Sequence, residues 1–288
     1  MKALLVGFGD LARRLSGRLL DGGWQVRGMK RNPARVAGVE MCVGDCRDVP
    51  ALVDALSGVD AVVVTLTPGE FTESAYRETY VESARSLAEA LARCADGPRR
   101  VLWVSSTSVY GRGDGEWVDE DTPTHPEKFS GRCLLEAEDL IRRAPVPATV
   151  VRFSGIYGPG RRRMIGKVAE GEVVPPSPPV WTNRIHSDDC AGVLYHFLEA
   201  SRAGQELPPL VLGTDCEPAT LHDVQCWLAE AMGVTIRGEA PPPGSRGNRR
   251  CSNQRLLAAG YRFRYPTFRE GYRALLAERD GGTAASRF

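Results

Sequence analysis

Residues 4–12 read Leu4-Leu5-Val6-Gly7-Phe8-Gly9-Asp10-Leu11-Ala12. Residues 3–6 are an apolar run suited to a buried strand, two glycines interrupt it, and Leu11, Leu15, Leu19 and Leu20 then recur at helical spacing. The stretch predicts a strand, a tight turn and a helix packed on a sheet.

Each small residue in the turn has a physical reason. Gly7 permits the sharp reversal after the strand, Gly9 has no Cβ and lets a pyrophosphate approach the backbone, and Ala12 lets the helix lie close to the sheet. The helix N-terminus offers backbone N–H groups and the positive end of its dipole. The pattern therefore points to a dinucleotide whose phosphates meet Gly7, Gly9, Asp10, Leu11 and Ala12. An ordinary strand-turn-helix corner is the competing reading.

The chain has 288 residues, enough for one large α/β domain or a main domain with a smaller lobe. Its 37 Lys and Arg against 36 Asp and Glu give no global field for nucleic acid or an anionic membrane. Arg161-Arg162-Arg163 reads as a solvated loop. The eight cysteines include no Cys-x-x-Cys pair and do not cluster with the four histidines, which predicts reduced thiols and no metal site. The N-terminal apolar run stops too early for a signal-peptide core and no apolar segment approaches membrane-spanning length, so a cytoplasmic protein is expected.

The first half alternates apolar runs at 2–6, 24–29, 40–43, 61–65, 100–105 and 148–153 with helix-like segments, the order of a doubly wound parallel sheet covered on both faces. Residues 76–94 read as one long amphipathic helix. After Arg152 proline and glycine become dense, at Gly158-Pro159-Gly160, 175–179 and Pro241-Pro242-Pro243. These loops separate helical stretches at 187–199 and 221–232 and suggest a second, irregular lobe. The expected division is a dinucleotide-binding domain at 1–153, a mixed region at 154–280 that returns to the sheet and forms the smaller substrate lobe, and a frayed tail at 281–288.

Further motifs follow in order: Gly44-Asp45, then Val104-Ser105-Ser106-Thr107-Ser108-Val109-Tyr110-Gly111. Next come Arg152-Phe153-Ser154-Gly155-Ile156-Tyr157-Gly158-Pro159-Gly160 and Asn183-Arg184-Ile185-His186-Ser187-Asp188-Asp189. With the glycine turn, they make the chain resemble the extended and atypical short-chain dehydrogenase/reductases, the NAD(P)-dependent epimerase/dehydratase-like proteins. The resemblance spans nearly the whole sequence. It implies a Rossmann-like α/β fold with a small, mostly C-terminal substrate lobe. It also places Asp45 at the adenine and Thr65, Leu66 and Thr67 beside the nicotinamide half, and implies a homodimer through the helices at 76–94 and 128–143. Plainer roles are a helix cap for Asp45, near Asp48, and a strand exit for residues 65–68.

The residues themselves address which dinucleotide is bound. An NAD site usually carries Asp or Glu about twenty residues beyond the glycine turn, on the ribose 2′-hydroxyl. Lys30, Arg31 and Asn32 stand here instead, with Arg35 close behind. Arg offers a planar, permanently charged fork, and one charge-assisted bond to a phosphate is worth about 1.5–3 kcal/mol. NADP(H) is expected over NAD(H), unless the two cations only solvate a strand end.

The resemblance fails at one place. Hydride-transferring relatives use Tyr-x-x-x-Lys on the helix after the serine motif, whereas residues 124–134 contain no tyrosine; Phe129 takes the aromatic position and Cys133 lies four residues later. Ser106 matches the residue that orients the substrate oxygen, although Ser105 and Ser106 could simply finish a strand. Losing a general acid removes about 10²–10⁴ in rate. Substitute donors are Tyr110, Tyr157, His125 and Lys128. His186 belongs to a motif that fastens the lobe, while Asp188 and Asp189 suit a helix N-terminus. The expectation is an NADP(H)-dependent oxidoreductase or epimerase/dehydratase-like enzyme acting on a small carbonyl, hydroxyl or sugar-like substrate. A non-catalytic NADP(H)-binding sensor or regulatory protein is the alternative.

Overall fold

Lys2–Val6 carries buried apolar side chains along nearly its whole length and forms β1, with neighbours on both sides. The structure, a computed structural model, describes residues 1–111, 113–241 and 247–284. Seven strands, β1 (Lys2–Val6), β2 (Gln25–Lys30), β3 (Val39–Val43), β4 (Ala61–Val64), β5 (Arg100–Ser106), β6 (Ala148–Phe153) and β7 (Leu210–Gly213), lie in the order β7-β6-β5-β4-β1-β2-β3. Leu5 pairs in parallel with Gly28 of β2 and with Val63 of β4, so the order reverses at β1. In open α/β sheets ligands bind outside the carboxyl ends of strands at such a switch point. Six strands fall within a residue or so of the positions read from the sequence. The seventh, β7, has only four residues and no alternation to mark it.

The chain divides into two compact units. The first comprises Met1–Gly111, Pro123–Arg152 and Ala191–Val211. It contains α1 (Asp10–Asp21), α2 (Val49–Leu56), α3 (Ser83–Arg93), α4 (Phe129–Arg142) and most of α5 (Ser187–Arg202). Leu4, Val6, Leu52, Val64, Leu87, Trp103 and Ile141 share one core, each large apolar side chain contributing about 1.5–3 kcal/mol on burial.

The single helix expected at 76–94 is corrected by the structure. A short α-turn at Glu73–Tyr76 passes into a π-helix at Arg77–Glu82 before α3 begins. The Ser83 hydroxyl donates to the Glu78 carbonyl, five residues back, at 3.3 Å, and lies 3.1 Å from the Cys46 thiol. One inserted residue widens the turn and re-aims everything before it.

The second unit comprises Arg112–Thr122, Phe153–Cys190 and Leu212–Phe288. Its strands include short parallel pairs, Gly155–Tyr157 with Arg184–His186 and Asp114–Val118 with Asn248–Cys251, and an antiparallel pair, Trp181–Thr182 with Ala219–Thr220. A separate core joins Tyr157, Val168, Val224, Leu228, Phe268 and Tyr272, drawing on α6 (Leu221–Ala231) and α7 (Phe268–Ala284). The backbone of α7 continues to Ala284, into the stretch read as a tail, while 285–288 and the prolines Pro242 and Pro243 lie outside the described residues. No described helix is long and apolar enough to cross a membrane.

Candidate functional site

The glycine turn is built by backbone hydrogen bonds. Gly7 and Phe8 donate to the Met29 carbonyl at 3.1 and 3.2 Å, Gly9 donates to Gly7 O at 2.7 Å, and Arg13 donates to Gly9 O at 3.0 Å. Gly7 has φ +80°, and a Cβ there would fall 2.9 Å from Leu66 Cδ2 and 3.2 Å from Leu66 N. Both the conformation and the space demand glycine. Gly9 differs: a Cβ would meet nothing nearer than Gly7 O at 3.9 Å, so its outer face is open. Gly9 is also the N-cap of α1 and has no side chain to occupy the first N–H groups. The Leu11 and Ala12 side chains are buried, so their contribution to a phosphate would come through backbone N–H. Asp10 is exposed, and its carboxylate accepts from Arg14 Nε at 3.1 Å. An open glycine edge at a helix N-terminus fits a pyrophosphate.

The end of β2 supplies the cations. Lys30 is half-buried, and its carbonyl accepts from Gly44 N at 3.1 Å; Arg31 and Asn32 are exposed. Asp45 accepts from Arg47 three times, from the backbone N at 2.9 Å, Nε at 3.0 Å and the second guanidinium nitrogen at 2.8 Å. The Arg47 hydrogen bond holds the Asp45 carboxyl below its ordinary range, with a smaller effect from the nearby Arg31 charge. Arg47 also pairs with Glu78 at 2.9 Å. The helix cap is Asp48, which accepts from Ala51 N at 3.3 Å, so the capping role considered for Asp45 is corrected. Arg47 stands in no motif of the sequence, although it lies two residues from Asp45; only its second partner, Glu78, is distant in sequence.

Past β4, Thr65 donates from Oγ1 to Gly7 O at 2.9 Å and ties the strand exit to the glycine turn. Leu66 is half-buried against that turn and Thr67 is exposed. Thr65 and Leu66 thus adjoin Gly7, as a continuous binding edge requires.

At the end of β5 the two serines separate. Ser105 is buried and donates to Glu138 at 2.6 Å, whereas Ser106 is half-buried and accepts from Ser108 N at 3.2 Å. Ser105 is structural. Glu138, fully buried on α4, receives Arg152 Nε at 3.0 Å and another guanidinium nitrogen at 2.6 Å, and Arg152 donates to the Tyr110 hydroxyl at 2.9 Å. This network pins α4 to β5 and β6. Gly131 brings the same helix close to the serine loop, since a Cβ there would meet Ser108 O at 2.7 Å. Phe129 opens α4 and is half-buried, Cys133 is buried, and His125 and Lys128 are exposed.

Two sequence candidates for the proton donor sit in buried clusters. Tyr110 is buried on Arg152. In the second unit Tyr157 is buried between His186, at a ring separation of 5.2 Å, and Tyr272, at 4.6 Å. Among the described residues its hydroxyl has no hydrogen-bond partner, and burial pushes its pKa upward. Asp189, at the start of α5, accepts from Tyr261 OH at 2.7 Å, Arg264 N at 2.7 Å and Tyr265 N at 3.0 Å, fastening a loop of its own unit. Asp188 donates its backbone N–H to His186 Nδ1 at 3.1 Å. Burial pushes Asp215 up to about 7. Among the described residues no group of His, Cys, Asp and Glu could hold a metal ion.

A switch-point glycine turn on a seven-stranded sheet defines the class as dinucleotide-binding α/β proteins, and the chain belongs to the NAD(P)H-binding family, which matches residues 7–201. Protein YeeZ of Escherichia coli K12 is 32% identical over 222 residues, covering 70% of this chain and 75% of YeeZ. A structure from Methylobacillus flagellatus, provisionally assigned as an NAD-dependent epimerase/dehydratase, is 39% identical, covers 97% of this chain and 98% of its own, and superposes with a TM-score of 0.80. The human epimerase family protein SDR39U1, solved with NADPH, is 21% identical, with a TM-score of 0.77 over 93% of this chain and 96% of its own, a likeness of fold.

Proposed function

We propose that the chain is an NADP(H)-dependent oxidoreductase or epimerase/dehydratase-like enzyme acting on a small carbonyl, hydroxyl or sugar-like substrate. The observation that carries the reading is the open edge at Gly9, with exposed Arg31 at the end of the adjoining strand β2. Gly7, Gly9, Asp10, Leu11 and Ala12 would hold the pyrophosphate, Asp45 the adenine, and Lys30, Arg31 and Asn32 the 2′-phosphate side. Thr65, Leu66 and Thr67 would flank the nicotinamide. When bound, the cofactor supplies a hydride donor or acceptor; the protein's part is to orient the substrate and manage a proton. Ser106 fits the orienting role because its oxygen already accepts from Ser108 while its own O–H is uncommitted by any bond among the described residues.

Phe129 and Cys133 favour a second reading, a non-catalytic NADP(H)-binding regulator. A screen of aldehydes, ketones and nucleotide sugars against NADPH, followed at the nicotinamide absorbance, separates the two. Turnover that falls at least tenfold in Ser106→Ala, with NADPH affinity unchanged, is expected of the enzyme. Tight NADPH binding with no turnover across the panel refutes catalysis and favours the regulator.

A further inference from the structure

Three aromatic rings gather just past the carboxyl end of β4, all within the first unit. Phe71 lies in the loop after the strand and is 67% exposed. Its ring centroid is 5.1 Å from Phe129 and 5.5 Å from Tyr76, and Tyr76 meets Phe129 edge to face at 5.4 Å. The phenol of Tyr76 thus stands beside the helix start where Phe129 has no proton to give. It is half-buried, open enough to exchange with water.

The neighbouring hydroxyls are occupied or unsuitable. Tyr80 packs on Tyr76 with ring centroids 5.6 Å apart, but burial pushes its pKa strongly upward and makes it a poor acid. Thr65 donates to Gly7, Ser105 donates to Glu138, and Tyr110 is buried against Arg152. Ser106 is an aliphatic alcohol and too weak an acid for general acid catalysis. We propose that Tyr76 is the catalytic proton donor of this chain, an inference that rests on the reductase reading above. In the balanced step, bound NADPH would supply hydride to the carbonyl carbon, the C=O π pair would move to oxygen, and that oxygen would take the Tyr76 phenolic proton. Water reprotonates the phenolate, so carbonyl, NADPH and H⁺ give alcohol and NADP⁺. A tyrosine is already protonated at neutral pH, the state reduction requires; burial, with a lesser contribution from Cys133, raises the Tyr76 pKa further and makes it a weaker acid, so its assignment rests on its placement beside Phe129.

The first test needs no substrate. Tyrosinate absorbance is titrated with and without NADP⁺ in the wild type and in Tyr76→Phe. With the nicotinamide bound within reach of the phenol, as the proposal requires, its positive charge in NADP⁺ would lower one tyrosine's midpoint by about one unit, and that component should be missing from Tyr76→Phe. No NADP⁺-dependent component, or one that survives in Tyr76→Phe, overturns the proposal. NADPH affinity, read by fluorescence on the same samples, is expected to be equal in both proteins; absence of binding to the wild type refutes the cofactor reading instead. On any carbonyl turned over, Tyr76→Phe should lower kcat about 10²-fold or more with KM little changed. Phe129→Tyr in that background should restore part of the rate. Full activity in Tyr76→Phe, or loss in His125→Gln or Lys128→Gln instead, assigns the proton elsewhere.

Discussion

Arg31 is exposed at the end of β2 with its charge beside the Asp45 carboxylate. If it reads the 2′-phosphate, Arg31→Asp should lower the NADPH-over-NADH affinity ratio at least tenfold, the scale of one charge-assisted bond of about 1.5–3 kcal/mol. Fluorescence titration of both dinucleotides checks this, and an unchanged ratio removes Arg31 from that role. Asp215 makes a separate prediction in pH. Its buried carboxyl sits near 7, above the ordinary aspartate value, so the native state binds the proton more tightly than the unfolded chain. The contribution is complete below about pH 4 and is lost as pH rises through about 7. Asp215→Asn should therefore gain stability relative to the wild type between pH 4 and pH 8, by up to about 4 kcal/mol. Urea midpoints at the two pH values measure it; a constant difference would refute burial as the cause.

Helix α4 is held by a buried charge pair more than by its ends. Its N-cap, Lys128, makes no side-chain capping bond, while Glu138 joins Ser105 and Arg152 in the interior. Glu138→Ala leaves Arg152 buried without its carboxylate and should cost about 3–5 kcal/mol in urea denaturation. Glu138→Met together with Arg152→Met should cost less than Glu138→Ala, and a larger loss would contradict the desolvation argument. This pair was not legible in the sequence: its partners are 14 residues apart, and nothing in the local pattern marks Glu138 as buried. The helix at 76–94 was only partly legible. Its apolar face survives averaging over a 3.6-residue period, but one added residue at Arg77–Glu82 does not show in that average. The inserted turn follows directly on the Phe71, Tyr76 and Phe129 cluster, and so Tyr76 escaped a reading confined to local motifs.

At the scale of the whole molecule, the sheet and its switch point were readable because buried parallel strands are continuous apolar runs and the glycines act through having no side chain. Gly7, whose φ is positive and whose Cβ would strike Leu66, is a position where sequence alone states the geometry. The second unit was readable only as dense proline and glycine, since its strands of two to five residues pair with partners distant in sequence, as Asp114–Val118 does with Asn248–Cys251. The NADP(H) site proposed above rests on the open glycine edge together with the β2 cations. Isothermal titration of the full chain with NADPH and NADH tests it most directly. One site per chain is expected, with NADPH bound at least tenfold more tightly than NADH; equal affinity, a preference for NADH, or no binding of either would refute that site.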